Sequence, residues 1–129
     1  MTTRIGIDAG GTLTKIAYWD EFNEMDFKRF RSSDFHKVKD WIDSNHPNAS
    51  ICVTGGRAEQ LKQYLNTNKE IPYIVEFDAT MNGVMYQMQR GSNQPKAAII
   101  ANIGTGTSIH IMQESSHKRL GGTGIGGGT

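Results

Sequence analysis

Apolar and polar positions alternate along the start of the chain, as they do in strands that bury one face. Residues 4–7 predict a short strand that ends at Asp8, and residues 13–19 predict a second strand after a glycine turn. A polar turn then leads to a third strand that contains Phe27 and Phe30. The chain therefore opens with three strands that can pair locally.

A helical period follows these strands. Phe35, Val38 and Ile42 recur at the spacing of one apolar helix face. Residues 32–34, Ser-Ser-Asp, supply candidates for the N-cap of this helix. Because proline cannot continue a helix, we expect this helix to end before Pro47.

Two further pairs of a strand and a helix complete a β-β-β-α-β-α-β-α order. Residues 50–53 and 72–75 are short apolar runs of the kind that forms buried strands. The second run leads through Glu76 to a helix that we expect Asp78 to cap and that ends near Gly91. The apolar faces of the two helices comprise Ala58, Leu61, Tyr64 and Leu65, and Met81, Val84, Met85 and Met88.

The pattern restarts after residues 91–95, whose Gly-Ser-Asn-Gln-Pro composition is typical of a linker. We therefore predict a first domain over residues 1–94 and the beginning of a second over residues 95–129. The predicted strands of this second part are residues 97–103, 107–112 and 118–120.

The restart indicates a duplicated unit. Each copy has an apolar strand, a turn of small residues with hydroxyls, and a second strand. A chance match of two short windows is the alternative. If the duplication is real, the second copy stops before its helices. In the alignment, Asp8 falls on Asn102, Gly10 on Gly104, and Thr14 on Ser108.

Composition excludes several classes of protein. Of the 129 residues, 36% are hydrophobic and 21% are charged, which argues against a disordered tail or a membrane protein. A net charge of +1 argues against a nucleic-acid binder that relies on bulk charge. A single cysteine, Cys52, excludes an internal disulfide and a multi-cysteine zinc site. With no signal peptide at the start, we expect a cytoplasmic protein.

Glycines cluster directly after the predicted strands, at residues 10–11, 55–56 and 104–106 and in the last nine residues. Glycine turns with hydroxyl side chains present backbone N–H groups to an anion, which favours phosphate binding. Ordinary β-hairpins are the alternative. The chain has no Gly-Lys-[Ser/Thr] phosphate loop, and the G-x-G-x-x-G match at Gly122 is weak in so glycine-rich a tail.

Three charged residues are candidates for chemistry at these turns. Asp8 can hold Mg²⁺ beside phosphates, or cap its own turn. Glu76 can accept a hydroxyl proton, or complement the dipole of the following helix. Arg119 can bind a phosphate, or lie in solvent. Because ligands of open α/β sheets bind beyond the carboxyl ends of the strands, we expect Asp8, Gly55, Glu76 and Gly104 to converge on one cleft.

The sequence resembles the type II pantothenate kinases of the staphylococcal and bacillar form. The resemblance covers essentially the whole chain, and the Glu-Phe-Asp-Ala block and the Arg-to-triple-glycine block are its most specific parts. The Asp-x-Gly-Gly-Thr block alone is shared with many sugar kinases. Members of the family are roughly twice as long as this chain. The motifs are residues 8–15, 54–56, 75–79, 102–108 and 118–129.

This resemblance implies a fold and an activity. The fold is the acetate kinase/hsc70/actin type, in which two ribonuclease-H-like α/β domains enclose an ATP cleft. The family phosphorylates pantothenate with ATP and Mg²⁺, the first step of coenzyme A synthesis, and the full-length enzyme is expected to be a homodimer. The 129-residue piece alone is expected to be inactive.

The resemblance also implies roles for individual residues. Glu76 matches the catalytic base, Arg119 matches the arginine near the reacting groups, and Asp8 is the expected metal ligand. The remaining residues match nucleotide-binding loops: Gly10, Gly11, Thr12 and Lys15 in the first, Gly104, Thr105 and Gly106 in the second, and Gly126, Gly127 and Gly128 in the third.

Two alternatives stay open. One is another kinase of the same fold, acting on a sugar or amino sugar, although the Phe-Asp-Ala that follows Glu76 speaks against it. The other is a non-catalytic fragment that keeps contacts to phosphates but cannot turn over.

Overall fold

A computed structural model describes residues 3–65, 67, 69–91, 96–104, 106–113 and 116–127. The chain divides into two compact units, Met1–Glu76 and Phe77–Thr129. The third helix thus groups with the second sheet by its contacts. Most of the predicted linker, residues 92–95, lies outside the described residues. The domain boundary after residue 94 stays a prediction.

The first unit contains one sheet, two α-helices and a short 3-10 helix, Ser32–Asp34. Strand order in the sheet is β3-β2-β1-β4, in which β1 runs antiparallel to β2 and parallel to β4. The predicted order of elements is confirmed through α2, and the second strand has the predicted bounds. The elements are β1 Arg4–Ala9, β2 Leu13–Trp19, β3 Met25–Arg31, α1 Phe35–Asn45, β4 Ser50–Thr54 and α2 Ala58–Leu65.

The prediction of a strand over residues 72–75 was wrong, since this segment is extended but is not a strand of the sheet. Tyr73 makes an isolated parallel bridge with Val53 at the edge of the sheet. The Val53 N–H donates to the Pro72 carbonyl at 2.9 Å, and the Ile74 N–H donates to the Val53 carbonyl at 2.8 Å. Pro72 has no N–H to give to a ladder, and α3 begins at Glu76, so the extended segment has little room to grow.

Strict alternation along β1 builds the core of the first unit. Ile5, Ile7 and Ala9 are at most 2% exposed and face the two helices. Val38 of α1 and Leu61 of α2 pack into the same cluster and are fully buried. Burial of each large aliphatic side chain contributes about 1.5–3 kcal/mol, so this face fixes the register of the sheet. The residues between them, Asp8 among them, must point to the opposite face.

The second unit is one helix and an antiparallel sheet in the order β5-β6-β7. The helix begins at Glu76, so Asp78 lies in its first turn and the prediction that Asp78 caps it was wrong. The elements are α3 Glu76–Arg90, β5 Ala97–Ile103, β6 Thr107–Gln113 and β7 Ser116–Thr123.

The two faces of the second sheet differ in burial. Ser108, His110 and Met112 are at most 6% exposed and share one face. The first turn of α3 contacts this face, since the rings of Phe77 and His110 are 5.3 Å apart. On the opposite face Ile99 is 73% exposed.

Ala98, Ile100, Ile109 and Ile111 do not share one face of the second sheet. Ala98 and Ile100 pair with Met112 and His110 and therefore lie on the face that α3 contacts. Ile109 and Ile111 point the other way, together with the exposed Ile99 and Ile103. The helix α3, which precedes this sheet in the chain, covers the face that contains His110. The order of elements alone does not indicate which face a preceding helix covers.

We predict that the open face of the second sheet drives self-association of the chain. Ile99→Lys should weaken this association in sedimentation velocity while leaving the free energy of unfolding nearly unchanged. Ile100 is the next residue of β5 and lies on the face that α3 contacts. Ile100→Lys should therefore lower the free energy of unfolding of the second unit by about 1–3 kcal/mol. Equal association of the wild type and Ile99→Lys would contradict this assignment of faces.

Candidate functional site

The turn between β1 and β2 presents free backbone donors. The Gly10 N–H closes the turn by donating to the Leu13 carbonyl at 3.1 Å. The N–H groups of Gly11 and Thr12 have no partner among the described residues, and both residues are exposed. Two adjacent free N–H groups at a glycine turn form a concavity that suits an anion.

Ser32 braces this turn from behind. Its hydroxyl donates to the Gly10 carbonyl at 2.6 Å and bonds the Thr14 hydroxyl at 2.9 Å. Its N–H donates to the Thr12 carbonyl at 2.9 Å. Ser32 was predicted as a helix cap, but α1 begins at Phe35 and no side chain caps it. Ser32 therefore fixes the shape of the turn.

The turn after β4 lies directly against the end of β1. Gly55 has a φ of +99°, and a Cβ on it would lie 2.4 Å from the Ala9 carbonyl oxygen and 2.7 Å from Asp8 Oδ1. The Arg57 N–H donates to the same Ala9 carbonyl at 3.0 Å. Only glycine fits here, both for its backbone angle and for the space. This approach confirms that Asp8 and Gly55 lie together.

Asp8 has two polar neighbours across the sheet, Lys15 on β2 and Thr54 on β4. Within the described residues Lys15 has no ion-pair partner, and the buried Thr54 hydroxyl has no hydrogen-bond partner. The residues thus form a small polar patch on the face away from α1 and α2. Thr54 lies within a motif of the sequence that indicates no role for it, and its position beside Asp8 follows from the parallel register of β1 and β4.

This patch fits a Mg²⁺ ion held partly by phosphates. No group of three or more His, Cys, Asp or Glu side chains with metal-site geometry occurs in the described ranges. Mg²⁺ commonly binds proteins through one or two carboxylates and takes its other ligands from water and substrate phosphates. The single carboxylate of Asp8, beside a turn with free N–H groups, meets that requirement.

In the second unit the predicted glycines also lie together. The Gly104 N–H donates to the Gly106 carbonyl at 2.8 Å, and the Gly127 N–H donates to the Gly104 carbonyl at 3.2 Å. The Thr107 hydroxyl donates to the Ile125 carbonyl at 2.8 Å. The tail therefore returns onto the turn between β5 and β6. Of the predicted site residues, Thr105 and Gly128 lie outside the described residues.

The two hairpins are similar in order but differ in length. The last pair of the first hairpin, Ala9 and Thr14, encloses four residues, and the last pair of the second, Ile103 and Thr107, encloses three. Thr14 and Ser108 are both buried, as the alignment of the two copies predicts. Asn102 pairs with Ser108 and shares its face, whereas Asp8 lies on the face opposite Thr14. Asn102 is therefore not the structural counterpart of Asp8.

A β-bulge in β7 sets the direction of Arg119. Gly121 pairs with Ile109 and Arg119 pairs with His110, so Leu120 is left without a partner. In an unbroken strand Leu120 would share the face of Gly122; the bulge puts Arg119 there instead. The Arg119 guanidinium lies 4.9 Å from the centre of the Phe77 ring.

His110 is a buried titratable residue whose ring contacts that of Phe77. It is 0% exposed, its Nε2 lies 3.0 Å from the Ser108 hydroxyl, and its Nδ1 has no partner among the described residues. Burial, and then the positive charges of Arg119 and His117, lower the pKa of His110 below its ordinary 6.5. His110 is therefore neutral at pH 7.

No protein-family model matches the sequence of this chain. A curated type II pantothenate kinase of Bacillus cereus (strain ATCC 10987 / NRS 248) is 46% identical over 129 residues, which are 100% of this chain and 47% of the relative. The Bacillus anthracis protein of the same name is 43% identical over the same coverage. That of Oceanobacillus iheyensis is 40% identical over 126 residues, 97% of this chain and 45% of the relative.

The chain is homologous to the type II pantothenate kinases. It spans about half the length of the curated relatives that it matches. The sequence-based resemblance to this family is thereby confirmed. No helix in the described part of the chain is long and apolar enough to cross a membrane.

Solved structures confirm the expected fold of the chain, the acetate kinase/hsc70/actin type. Component A of (R)-2-hydroxyglutaryl-CoA dehydratase from Acidaminococcus fermentans matches with a TM-score of 0.61 at 13% identity, over 95% of this chain and 46% of that one. Glucokinase from Balamuthia mandrillaris matches with a TM-score of 0.56 at 16% identity, over 92% and 47%. At this identity the likeness concerns the fold alone.

The residues that match the pantothenate kinase motifs fall into two groups. Asp8, the first glycine turn, Lys15 and Glu76 belong to the first unit, and Arg119 and the second glycine turn belong to the second. Glu76 is exposed and is the first residue of α3. Convergence of both groups on one cleft stays a prediction. Phe77 and His110 were missed because only the bulge in β7 brings Arg119 to them.

We predict that Gly55→Ala destabilises the first unit by about 3 kcal/mol or more, because it combines a left-handed backbone angle with a clash against backbone. Gly56→Ala is the matched control, since a Cβ there meets no atom within 4 Å. Both tryptophans, Trp19 and Trp41, lie in the first unit, so urea unfolding followed by fluorescence reports on it. Equal midpoints for the two variants would contradict the proposed close approach.

The lowered pKa of His110 predicts a pH dependence of stability. In the unfolded chain the imidazole takes up a proton as pH falls through about 6.5, whereas in the folded unit it does so only at lower pH. The second unit should therefore lose stability as pH falls below 6.5. His110→Gln should show a smaller loss between pH values of about 7.5 and 5.5, measured from amide NMR signals of β6 in urea. The same loss in both proteins would contradict the prediction.

Proposed function

We propose that this chain forms the ATP-phosphate and catalytic half of a kinase that transfers the γ-phosphoryl group of ATP to pantothenate, in the cytoplasm, as the first step of coenzyme A synthesis. The observation that carries the proposal is the 40–46% identity over essentially the whole chain to proteins named type II pantothenate kinase. The site geometry supports it independently.

The two glycine turns bind the phosphates of ATP. The free N–H groups of Gly11 and Thr12, with the carbonyl of Gly10 held away by Ser32, face one phosphate, and the unpaired Lys15 ammonium adds charge. By resemblance the second turn and the tail also belong to the nucleotide site, with Gly104, Thr105, Gly106, Gly126, Gly127 and Gly128 as their matching residues.

Asp8 holds Mg²⁺, directly or through its waters. When bound, the ion neutralises charge on the phosphates and so favours attack on the γ-phosphorus. The approach of Gly55 to Asp8 keeps the carboxylate in one place, and the buried Thr54 hydroxyl on the neighbouring strand has no hydrogen-bond partner among the described residues.

Glu76 and Arg119 serve the transfer itself. Glu76 takes the proton from the primary hydroxyl of pantothenate as that oxygen bonds to the γ-phosphorus, and the bond from phosphorus to the bridging oxygen breaks to release ADP. Arg119 neutralises charge on the transferred group. The position of Glu76 in the first turn of α3 also complements the helix dipole, so its two alternative roles are compatible.

The two alternatives are less well supported. A sugar kinase has only distant likenesses in fold, such as the glucokinase at 16% identity. A non-catalytic fragment agrees with a chain that spans about half its relatives, but those relatives are named as kinases. The expectation that the full-length enzyme is a homodimer rests on the family resemblance.

We predict that Glu76→Gln lowers kcat about 10²–10⁴-fold and leaves KM for ATP within a few fold, because the variant keeps the shape of the side chain but cannot accept the proton. The measurement is pantothenate-dependent ADP release by a full-length protein in which this chain replaces the matching half of the Bacillus cereus relative. Glu70→Gln, an exposed carboxylate in the same unit, is the control.

Near-full turnover by Glu76→Gln would overturn the assignment of the base. A folded full-length protein that releases ADP with a sugar but not with pantothenate would overturn the substrate. Folding is checked by a cooperative melt that resembles that of the relative.

A further inference from the structure

We propose that Phe77 is a positioning residue, whose ring, supported by the buried His110, holds the Arg119 guanidinium in place for an anionic phosphoryl group. The proposal rests on the proposed function, because it assigns the partner of Arg119 as the transferred phosphate. It concerns three side chains of the second unit that contact one another in a row. The Arg119 guanidinium carbon lies 4.9 Å from the centre of the Phe77 ring, and the centres of the Phe77 and His110 rings are 5.3 Å apart.

Arg119 needs such support because its own strand gives little. Arg119 is exposed and adjoins the bulge residue Leu120, where the ladder is interrupted. Among the described residues no carboxylate lies within 4.0 Å of its guanidinium. A long, unpaired arginine samples many rotamers, and each must be given up when it binds a phosphate.

Two features restrict those rotamers. The face of the Phe77 ring attracts the cation. On another side is Gly122, where a Cβ would lie 2.5 Å from Arg119 Nη2. The absent side chain at Gly122 thus leaves the space that the guanidinium occupies. The guanidinium N–H groups stay free of carboxylates and are available to an anion.

His110 fixes the ring from the other direction. It is fully buried, its ring is tilted 50° to that of Phe77, and the Ser108 hydroxyl anchors its Nε2. A neutral imidazole there adds no charge to repel Arg119. Since Phe77 directly follows Glu76 in the first turn of α3, one turn of helix carries both the proposed base and the support of the arginine.

The test uses kcat and KM in the full-length protein described above. Phe77→Leu keeps an apolar side chain but removes the ring face, and should lower kcat about 10-fold with KM for ATP within about twofold. Phe77→Tyr keeps the face and should stay within about twofold of the parent in kcat. Tyr86→Leu, which removes another arginine–aromatic contact from the same helix, with Arg90, is the matched control and should change kcat less than about twofold.

A double-mutant cycle separates positioning from general damage. If Phe77 acts through Arg119, Phe77→Leu should cost less than about twofold in kcat when Arg119→Met is already present. An equal cost in both backgrounds, or an unchanged kcat in Phe77→Leu, would overturn the proposal. A normal kcat in Arg119→Met would instead overturn the role of Arg119 in the proposed function.

A second measurement needs no turnover. In the 129-residue chain, pyrophosphate should shift the Arg119 Nε–H signal in NMR, and Phe77→Leu should need about fivefold more pyrophosphate for the same shift. Phe77→Tyr should behave as the wild type. Equal titrations for Phe77→Leu and the wild type would overturn the proposal even if the full-length protein proved inactive on pantothenate.

Discussion

The contact between Gly55 and the end of β1 is the constraint on which the first unit depends. Parallel pairing puts Asp8 opposite Thr54, the last residue of β4, so the chain turns away at Gly55 directly beside the end of β1. The chain after β4 passes so close to β1 that a Cβ would overlap the Ala9 carbonyl. Because Gly55 has no Cβ, its left-handed backbone conformation carries little steric strain. The carboxylate of Asp8 is thereby held where the two chain segments meet.

The two glycine turns reach similar ends by different means. The first is braced by a side chain, since Ser32 from the end of β3 bonds both Gly10 and Thr14. The second is braced by backbone, since Gly127 donates to Gly104. The side-chain brace leaves the N–H groups of Gly11 and Thr12 without a partner among the described residues, whereas the backbone brace uses the N–H group of Gly127. The two turns therefore share the order strand, small-residue turn and strand, but not their internal bonding.

Periodicity predicted most of the elements because burial alone decides them. The alternation of Ile5, Ile7 and Ala9 fixes β1 and its register, and β2 has the bounds that its pattern predicts. The roles of hydroxyl residues were harder to predict, because a serine such as Ser32 can either cap a helix or form a hydrogen bond with a distant turn. Only the pairing of β2 with β3 brings Ser32 beside Gly10. Pro72 limited the predicted strand over residues 72–75 to a single bridge, whereas the apolar residues that follow it had predicted a full strand.

Arg119 shows where a sequence pattern stops being informative about a site. Counting by twos from Gly122 assigns Leu120 and Lys118 to the face with His110, and Arg119 to the other. One extra residue, the bulged Leu120, exchanges these assignments and turns Arg119 toward Phe77. The motif gives the identity of the arginine, but its direction depends on a defect in the ladder that no alternation predicts. A loop of glycines can supply anion donors wherever it lies, whereas a single arginine is useful only on the correct face, so the bulge is as much a part of the candidate site as the charge.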